Sequence, residues 1–423
     1  MNLWTRRRLR SRWTWIGLVV AAVASVQLYA WYQFRSGRTA LAADRPDVAH
    51  RHFERSRAIW PWGNRVDVQL LSSRAAWQSG DRTLAMGELR EARRASGSTT
   101  PELAFEWALL QAVDGNVSDV AEYLQQKADA DPSVQRIVWE ALTEGYLAVY
   151  RANDAFTIAQ QWVSRDPDDL RALELRGQAA IQGRGRGLAI GADDLREVLK
   201  REPTRIRARA MLSITLLDLG LFDEAIPELE RLTRDQPDQP DHRVRLARCL
   251  KMTNHPDEAV KLLDAVLQSN PDHGLALRAR GQFALSDLRL AEAETWLRRA
   301  AEVLPNDYQT QYLLYQALQQ AGYATEATEQ LKRSETVKQQ STQLADLRTR
   351  RLAERPLDPA LYTEMGSLLV KTGNTEQGLR WLDVALSLDP GFRPAHEALA
   401  LHFEKVGNTE RAAFHRQQLS RLR

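Results

Sequence analysis

The sequence predicts an all-α solenoid of repeated helix-turn-helix units, preceded by one N-terminal transmembrane helix. Three observations predict it. Pro203, Pro237, Pro271 and Pro305 each follow the last by 34 residues, and a fixed period of that length marks stacked supersecondary units. The triplets Asp223-Glu224-Ala225, Asp257-Glu258-Ala259, Ala291-Glu292-Ala293 and Thr325-Glu326-Ala327 occupy one place within that period. Near the N-terminus, Trp13 to Phe34 form 22 residues without a charge.

The uncharged stretch reads as a signal-anchor helix over 13–34. At about 1.5 Å per residue it spans roughly 33 Å, enough for a hydrocarbon core of about 30 Å. Trp13 and Trp15 stand at one end, with Tyr29, Trp31 and Tyr32 at the other, the placement of interfacial aromatic belts. Residues 1–12 form a basic tail carrying Arg6, Arg7, Arg8, Arg10 and Arg12, which predicts a cytoplasmic N-terminus and a repeat body on the far side of the membrane. In a Gram-negative-type cell that is the periplasm. The competing reading is a cleaved signal peptide, with Ala22-Val23-Ala24 as its small-residue site.

Beyond the span, residues 35–339 divide into a half unit and units starting near 66, 101, 136, 170, 206, 240, 274 and 308. The half unit is a second helix around Val48–Phe53 ending near Pro61, and its partner is expected in the short stretch after the membrane. The unit at 170 is two residues too long, and the excess falls at Gly183-Arg184-Gly185-Arg186-Gly187. A phosphate-cradling loop would need a preceding strand, and Ile190 stands where GxGxxG has its last glycine, so this is a flexible inter-helix turn. After Pro305 the next in-phase proline is Pro356, 51 residues on, one unit plus about one helix. Residues 326–353 contain no Gly or Pro, so 340–356 reads as an inserted helical extension of a second helix. The repeat resumes over 357–423 as a C-terminal pair whose last helix, with Arg416, Arg421 and Arg423, caps the stack.

This register resembles the tetratricopeptide repeat family, whose 34-residue unit ends in a proline and carries a small residue early in its second helix. The resemblance implies a right-handed superhelix. Ala225, Ala259 and Ala293 would let paired helices approach, and Leu212, Leu246, Leu229, Leu263 and Leu297 would fill the space between them. It also implies that positions 2, 5, 9 and 12 of each unit line an inner groove. Those positions supply Glu102, Glu140, Glu144 and Glu174 early in the chain. Arg207, Arg248, Lys251, Arg278 and Gln282 follow, with Arg245 beside the stripe, and then Tyr312, Gln316 and Gln319. Such a groove suits an extended peptide or a helix. The asparagines of the family's carboxylate clamp are missing, so that specificity is not carried over.

Composition narrows the remaining classes. The net charge is +3, and without the five N-terminal arginines it is −2, so the body offers no electrostatic case for nucleic acid. Of 58 basic residues eight are lysine and 50 arginine, a skew that reads as genomic base composition. Cys249 is the sole cysteine and falls on an apolar helix face. His396-Glu397 and His402 do not make a zinc helix, because the histidines are six apart rather than four. No nucleophile elbow, Walker loop or catalytic acid pair stands out. The expectation is therefore a non-enzymatic scaffold at the cell envelope, without cofactor, metal or small-molecule substrate. The alternatives are a constitutive subunit of a larger membrane complex and an accessory protein of an envelope enzyme system.

Overall fold

The computed structural model describes residues 3–59, 65–183, 185, 187–355 and 357–422, with the side chains of 3–17, 65, 349 and 353 outside the description. Among the described residues every regular element is helical, and the helices form two compact units, Met1–Ala148 and Val149–Arg423.

The first unit opens on one 40-residue helix, Leu3–Ala42, packed against Pro46–Ile59. The expected separation between span and first repeat is absent. Ala30, Gln33, Ala40 and Leu41 are buried. Ser56 Oγ donates to the Ala30 carbonyl at 3.0 Å, and His52 Nδ1 lies 2.6 Å from Gln33 Oε1. The Phe34 and Phe53 rings meet at 6.1 Å. Ala30, Gln33 and Phe34, which fall at the end of the predicted span, thus pack on the first hairpin, while Trp31 and Tyr32 between them are exposed. An apolar helix face serves lipid and a packed neighbour equally well, so composition alone did not divide them. Among the described residues no helix is long and apolar enough to cross a membrane. The side chains at 13–17, where the predicted span begins, lie outside the described residues, as does Pro61. Two hairpins follow, Arg65–Gln78 with Arg82–Ser96 and Pro101–Val113 with Val117–Ala130, and then Gln135–Ala148.

The second unit runs from Ala152–Arg165 through hairpins whose first helices are Leu170–Gly183, Ile206–Asp218, Pro240–Met252, Gly274–Ser286 and Tyr308–Gln320. Ala225, Ala259 and Ala293 are completely buried, and so are Leu229, Leu263 and Leu297. A second small position lies on several first helices. A Cβ added to Gly281 would stand 2.5 Å from Leu297 Cγ, and one added to Gly366 would stand 2.7 Å from the Gly378 carbonyl oxygen.

The period-setting prolines stop each second helix, because the residue before a proline is pushed out of helical geometry; Glu202 before Pro203 has φ −124° and ψ 77°. The proline carbonyls then accept from a side chain six residues on. Arg243 donates to Pro237 at 2.8 Å and Gln311 to Pro305 at 3.1 Å, and Arg209 meets Pro203 in the same way. Leu277 cannot donate, and there Arg299 reaches Pro271 at 2.9 Å from the second helix.

The hairpin turns need one left-handed residue, usually glycine, as at Gly220 and Gly322. Tyr150 occupies that place with φ 58°. Its ring lies 4.0 Å from the Arg348 guanidinium and 6.1 Å from the Trp381 ring, and its hydroxyl meets the Gln377 amide. Trp381 stacks on Tyr362 at 5.6 Å. The second unit is therefore tied from its first turn to its C-terminal repeats. Arg348 stands on a π-helical turn, Leu347–Arg351, that extends the helix Ala324–Asp346 and buries Leu347 and Leu352. Pro356 lies outside the described residues. The C-terminal hairpins are Pro359–Lys371 with Thr375–Leu388 and Arg393–Lys405 with Thr409–Arg421.

Two glycine substitutions test this packing with opposite signs. Gly366→Ala forces a methyl against backbone and should cost about 1–3 kcal/mol. Gly87→Ala meets nothing within 4 Å in a helix interior and should raise stability by about 0.5–1 kcal/mol. Chemical denaturation of both variants checks the pair.

Candidate functional site

The candidate stripe runs along the first helices of the second unit, and the structure divides it into tied and accessible residues. Arg278 is 14% exposed and donates to Asp307 at 2.8 Å, the N-cap of the next first helix. Lys251 pairs with Asp287 at 2.6 Å, in the next repeat, and lies 5.5 Å from the Phe283 ring. Arg207 reaches back to Gln178 at 2.7 Å and to Glu174 at 3.5 Å. Arg245 lies 3.7 Å from Asp241 on its own helix. These cations bridge repeats or hold their own helix.

Arg248 differs. It is exposed, yet walled by enough protein that burial, reinforced by the Arg278 and Arg245 charges, lowers its pKa from the usual arginine value. Asp218 opposes this shift, and Arg248 pairs with none of the described carboxylates. An accessible cation among other cations attracts a carboxylate or phosphate. Gln282 and Gln316 are half-buried and Gln319 is exposed. Tyr312 sits between Tyr308 at 5.7 Å and Tyr315 at 5.6 Å, with Lys338 Nζ 5.6 Å from the Tyr308 ring. Tyr308 and Tyr315 were not singled out from the sequence, although their i, i+4, i+7 spacing with Tyr312 puts all three on adjoining faces.

Two of the four acidic residues of the stripe are internal. Glu140 and Glu174 are each 1% exposed. Gln78 donates to Glu140 at 2.7 Å, and Arg205 donates to Glu174 at 2.6 Å. Glu102 is exposed at the first turn of its helix, where the backbone and Thr100 lower its pKa. Glu144 is half-buried and has a partner.

Elsewhere the titratable groups are occupied by packing. The Cys249 thiol is buried and pushed up to about 11, principally by desolvation. His396 and His415 are buried with their Nδ1 atoms 2.9 Å apart, and His396 Nε2 lies 3.1 Å from the Pro390 carbonyl. Burial, then His396 and Arg411, lower the His415 pKa. Among the described residues no group of three or more His, Cys, Asp or Glu could hold a metal ion.

The helix pairing, the buried alanines and the proline turns all point one way, and the family comparison agrees over part of the chain. The tetratricopeptide repeat profile matches residues 192–243 and 222–282. This stretch is made of tetratricopeptide repeats. A tetratricopeptide repeat protein from Parabacteroides merdae is 17% identical over 60% of this chain and 100% of its own, with a TM-score of 0.41. Human IFIT1, solved as a dimer with m7Gppp-AAAA, is 15% identical over 84% of this chain and 90% of its own, at 0.39. YrrB, described as a tetratricopeptide repeat protein with an unusual peptide-binding site, is 17% identical over 45% of this chain and 96% of its own, at 0.37. No curated protein matches the sequence.

Asp307 offers a pH test of the tied half of the stripe. Burial pushes its carboxyl up, but Thr310 and Arg278 outweigh burial and hold it below the ordinary value. A lowered folded-state pKa adds stability above the ordinary carboxylate range, and that stability is lost as pH falls through the folded value. Asparagine still caps the helix but loses the charge that faces Arg278, so Asp307→Asn should be less stable by about 1 kcal/mol at pH 7, with the gap closing toward pH 3 and below. Denaturation at both pH values reads this directly.

Proposed function

We propose that this protein is a membrane-anchored scaffold whose repeats hold another protein at the cell envelope, with no catalytic step of its own. The N-terminus is cytoplasmic and the repeat body extracytoplasmic in this reading. Paired helical repeats present long, regular surfaces to peptides and helices, which supports the binding half of the proposal. The observation that carries it is Arg248, an exposed cation that pairs with no carboxylate among the described residues while Arg207, Lys251 and Arg278 beside it are engaged. Gln282, Gln316 and the Tyr308–Tyr312–Tyr315 row continue from it along neighbouring first helices and supply amide and aromatic contacts. A partner segment carrying an acidic residue fits this order.

The anchoring half rests on the exposed apolar face of the first helix. Leu18 and Leu28 are 62% and 67% exposed, and Val19, Val20, Val23 and Val26 are also exposed between them. Apolar side chains in so long an unpartnered row are costly in water. Because Ala30, Gln33 and Phe34 pack against the first hairpin, the row that is free to face lipid ends near Tyr29 in this reading. The five arginines before residue 13 orient it.

Arg248→Glu should reduce recovery of cross-linked partners from membranes by about tenfold, corresponding to about 1.4 kcal/mol, while the melting temperature stays unchanged. Equal recovery would remove this stripe as the site, and a constant stoichiometric set of neighbours would favour a fixed subunit over a scaffold. Alkaline carbonate extraction of membranes tests the anchor separately. The full chain should stay in the pellet, and release into the supernatant would refute anchoring.

A further inference from the structure

The first hairpin carries an open surface pocket of about 360 Å³ lined by Tyr32, Arg35, Ser36, Thr39, Arg45 and His52 among others, and no carboxylate lines it. We infer that this pocket binds an anionic phosphate group, of which the headgroup of an anionic phospholipid is the source that the anchoring reading favours. Arg35, on the helix Leu3–Ala42, and Arg45, in the turn just before the helix Pro46–Ile59, both line it. Both are exposed, and the lining also offers the hydroxyls of Tyr32 and Ser36, while that of Thr39 donates to the Arg35 carbonyl at 3.1 Å. Guanidinium forks with nearby hydroxyls are the donor set that phosphate oxygens take.

Two further observations support it. The Arg35 guanidinium lies 5.5 Å from the Trp31 ring, which holds its charge beside an exposed aromatic of the kind that sits at headgroup level. His52 feels a positive field: after burial, the Arg55 and Arg51 charges are what lower its pKa. Nothing in the lining neutralises that field, so an anion would. The pocket also begins within one helix turn of Tyr29, where the exposed apolar row ends, which puts it at the depth of lipid phosphates if the helix spans. Only the lipid source rests on the anchoring reading; the phosphate chemistry stands on the pocket alone.

The test uses the full chain in nonionic detergent, titrated calorimetrically with dihexanoyl phosphatidylglycerol below its micellar concentration and, separately, with inorganic phosphate. Arg35→Gln combined with Arg45→Gln should weaken phosphatidylglycerol binding by about tenfold or more. Arg90→Gln combined with Arg93→Gln removes the same charge from exposed positions elsewhere and should leave binding unchanged. Equal affinity for inorganic phosphate, with the same loss in the Arg35/Arg45 variant, supports the site and assigns it to the free ion. No binding of either probe, equal binding by the Arg35/Arg45 variant, or an equal loss in the control variant overturns the proposal. If carbonate releases the chain but phosphate binding still depends on Arg35 and Arg45, the anchoring reading fails and this site does not.

Discussion

The close approach of two helix backbones within each hairpin is the constraint on which the rest of the chain depends. It requires small residues at two places, one on each helix, and these are the fully buried alanines 225, 259 and 293 and glycines such as Gly281 and Gly366. Once the backbones are that close, a leucine from the partner helix fills the remaining space, as Leu297 does over Gly281. Interiors pack to the density of organic crystals, so neither position can grow without moving its neighbour. The hairpin is then a rigid brick, and the proline-terminated turn sets how one brick follows another. The carbonyl of that proline, clipped by Arg243 or Gln311 six residues on, fixes the angle of entry into the next helix.

The stack is also joined by charge. Arg176 and Asp194 meet through two hydrogen bonds of 2.7 and 2.6 Å, both side chains nearly inaccessible. Arg57 reaches Glu88, Arg74 reaches Glu106, and Arg205 reaches Glu174 across repeats. Arginine suits the first three places because its planar fork meets both oxygens of Asp194, Glu88 and Glu106, where a lysine would leave one unmet. The arginine surplus, taken from composition alone as uninformative, is therefore put to structural use. Breaking one partner of such a pair leaves a buried charge without compensation, so these pairs enforce register between bricks more than they add net stability.

Much of this was legible because the signals are local. Proline stops a helix wherever it falls, and alanine or glycine at a fixed phase marks a close approach, so the period and the buried face could be read by counting. The limits of legibility are equally physical. Arg278 and Lys251 have the right phase to face a partner, but Asp307 and Asp287, which engage them, lie in the next repeat and become neighbours only on stacking. Glu140 and Glu174 have that phase too, yet their helices are covered on several sides and the carboxylates are internal. The packing of Ala30 and Phe34 on the first hairpin was not legible, because such residues satisfy a lipid and a helix by the same property. Nothing in the pattern distinguishes Arg248 from its tied neighbours.

A stack of bricks touching only their neighbours unfolds from its ends, one unit at a time, and its stability is close to a sum over adjacent pairs. Tyr150 changes that statistic for the second unit. By joining Arg348, Gln377 and Trp381, it adds a contact 227 residues apart in the chain. The entropy of closing so long a loop grows only slowly with length, but it is recovered only once every intervening hairpin is in place. The hairpin Pro359–Lys371 with Thr375–Leu388 is then no longer free to fray by itself, and damage to a middle repeat is felt at both ends of the tie. A residue tolerating a left-handed backbone that a glycine would adopt without strain turns a linear array into a circuit, whose parts hold or fail together.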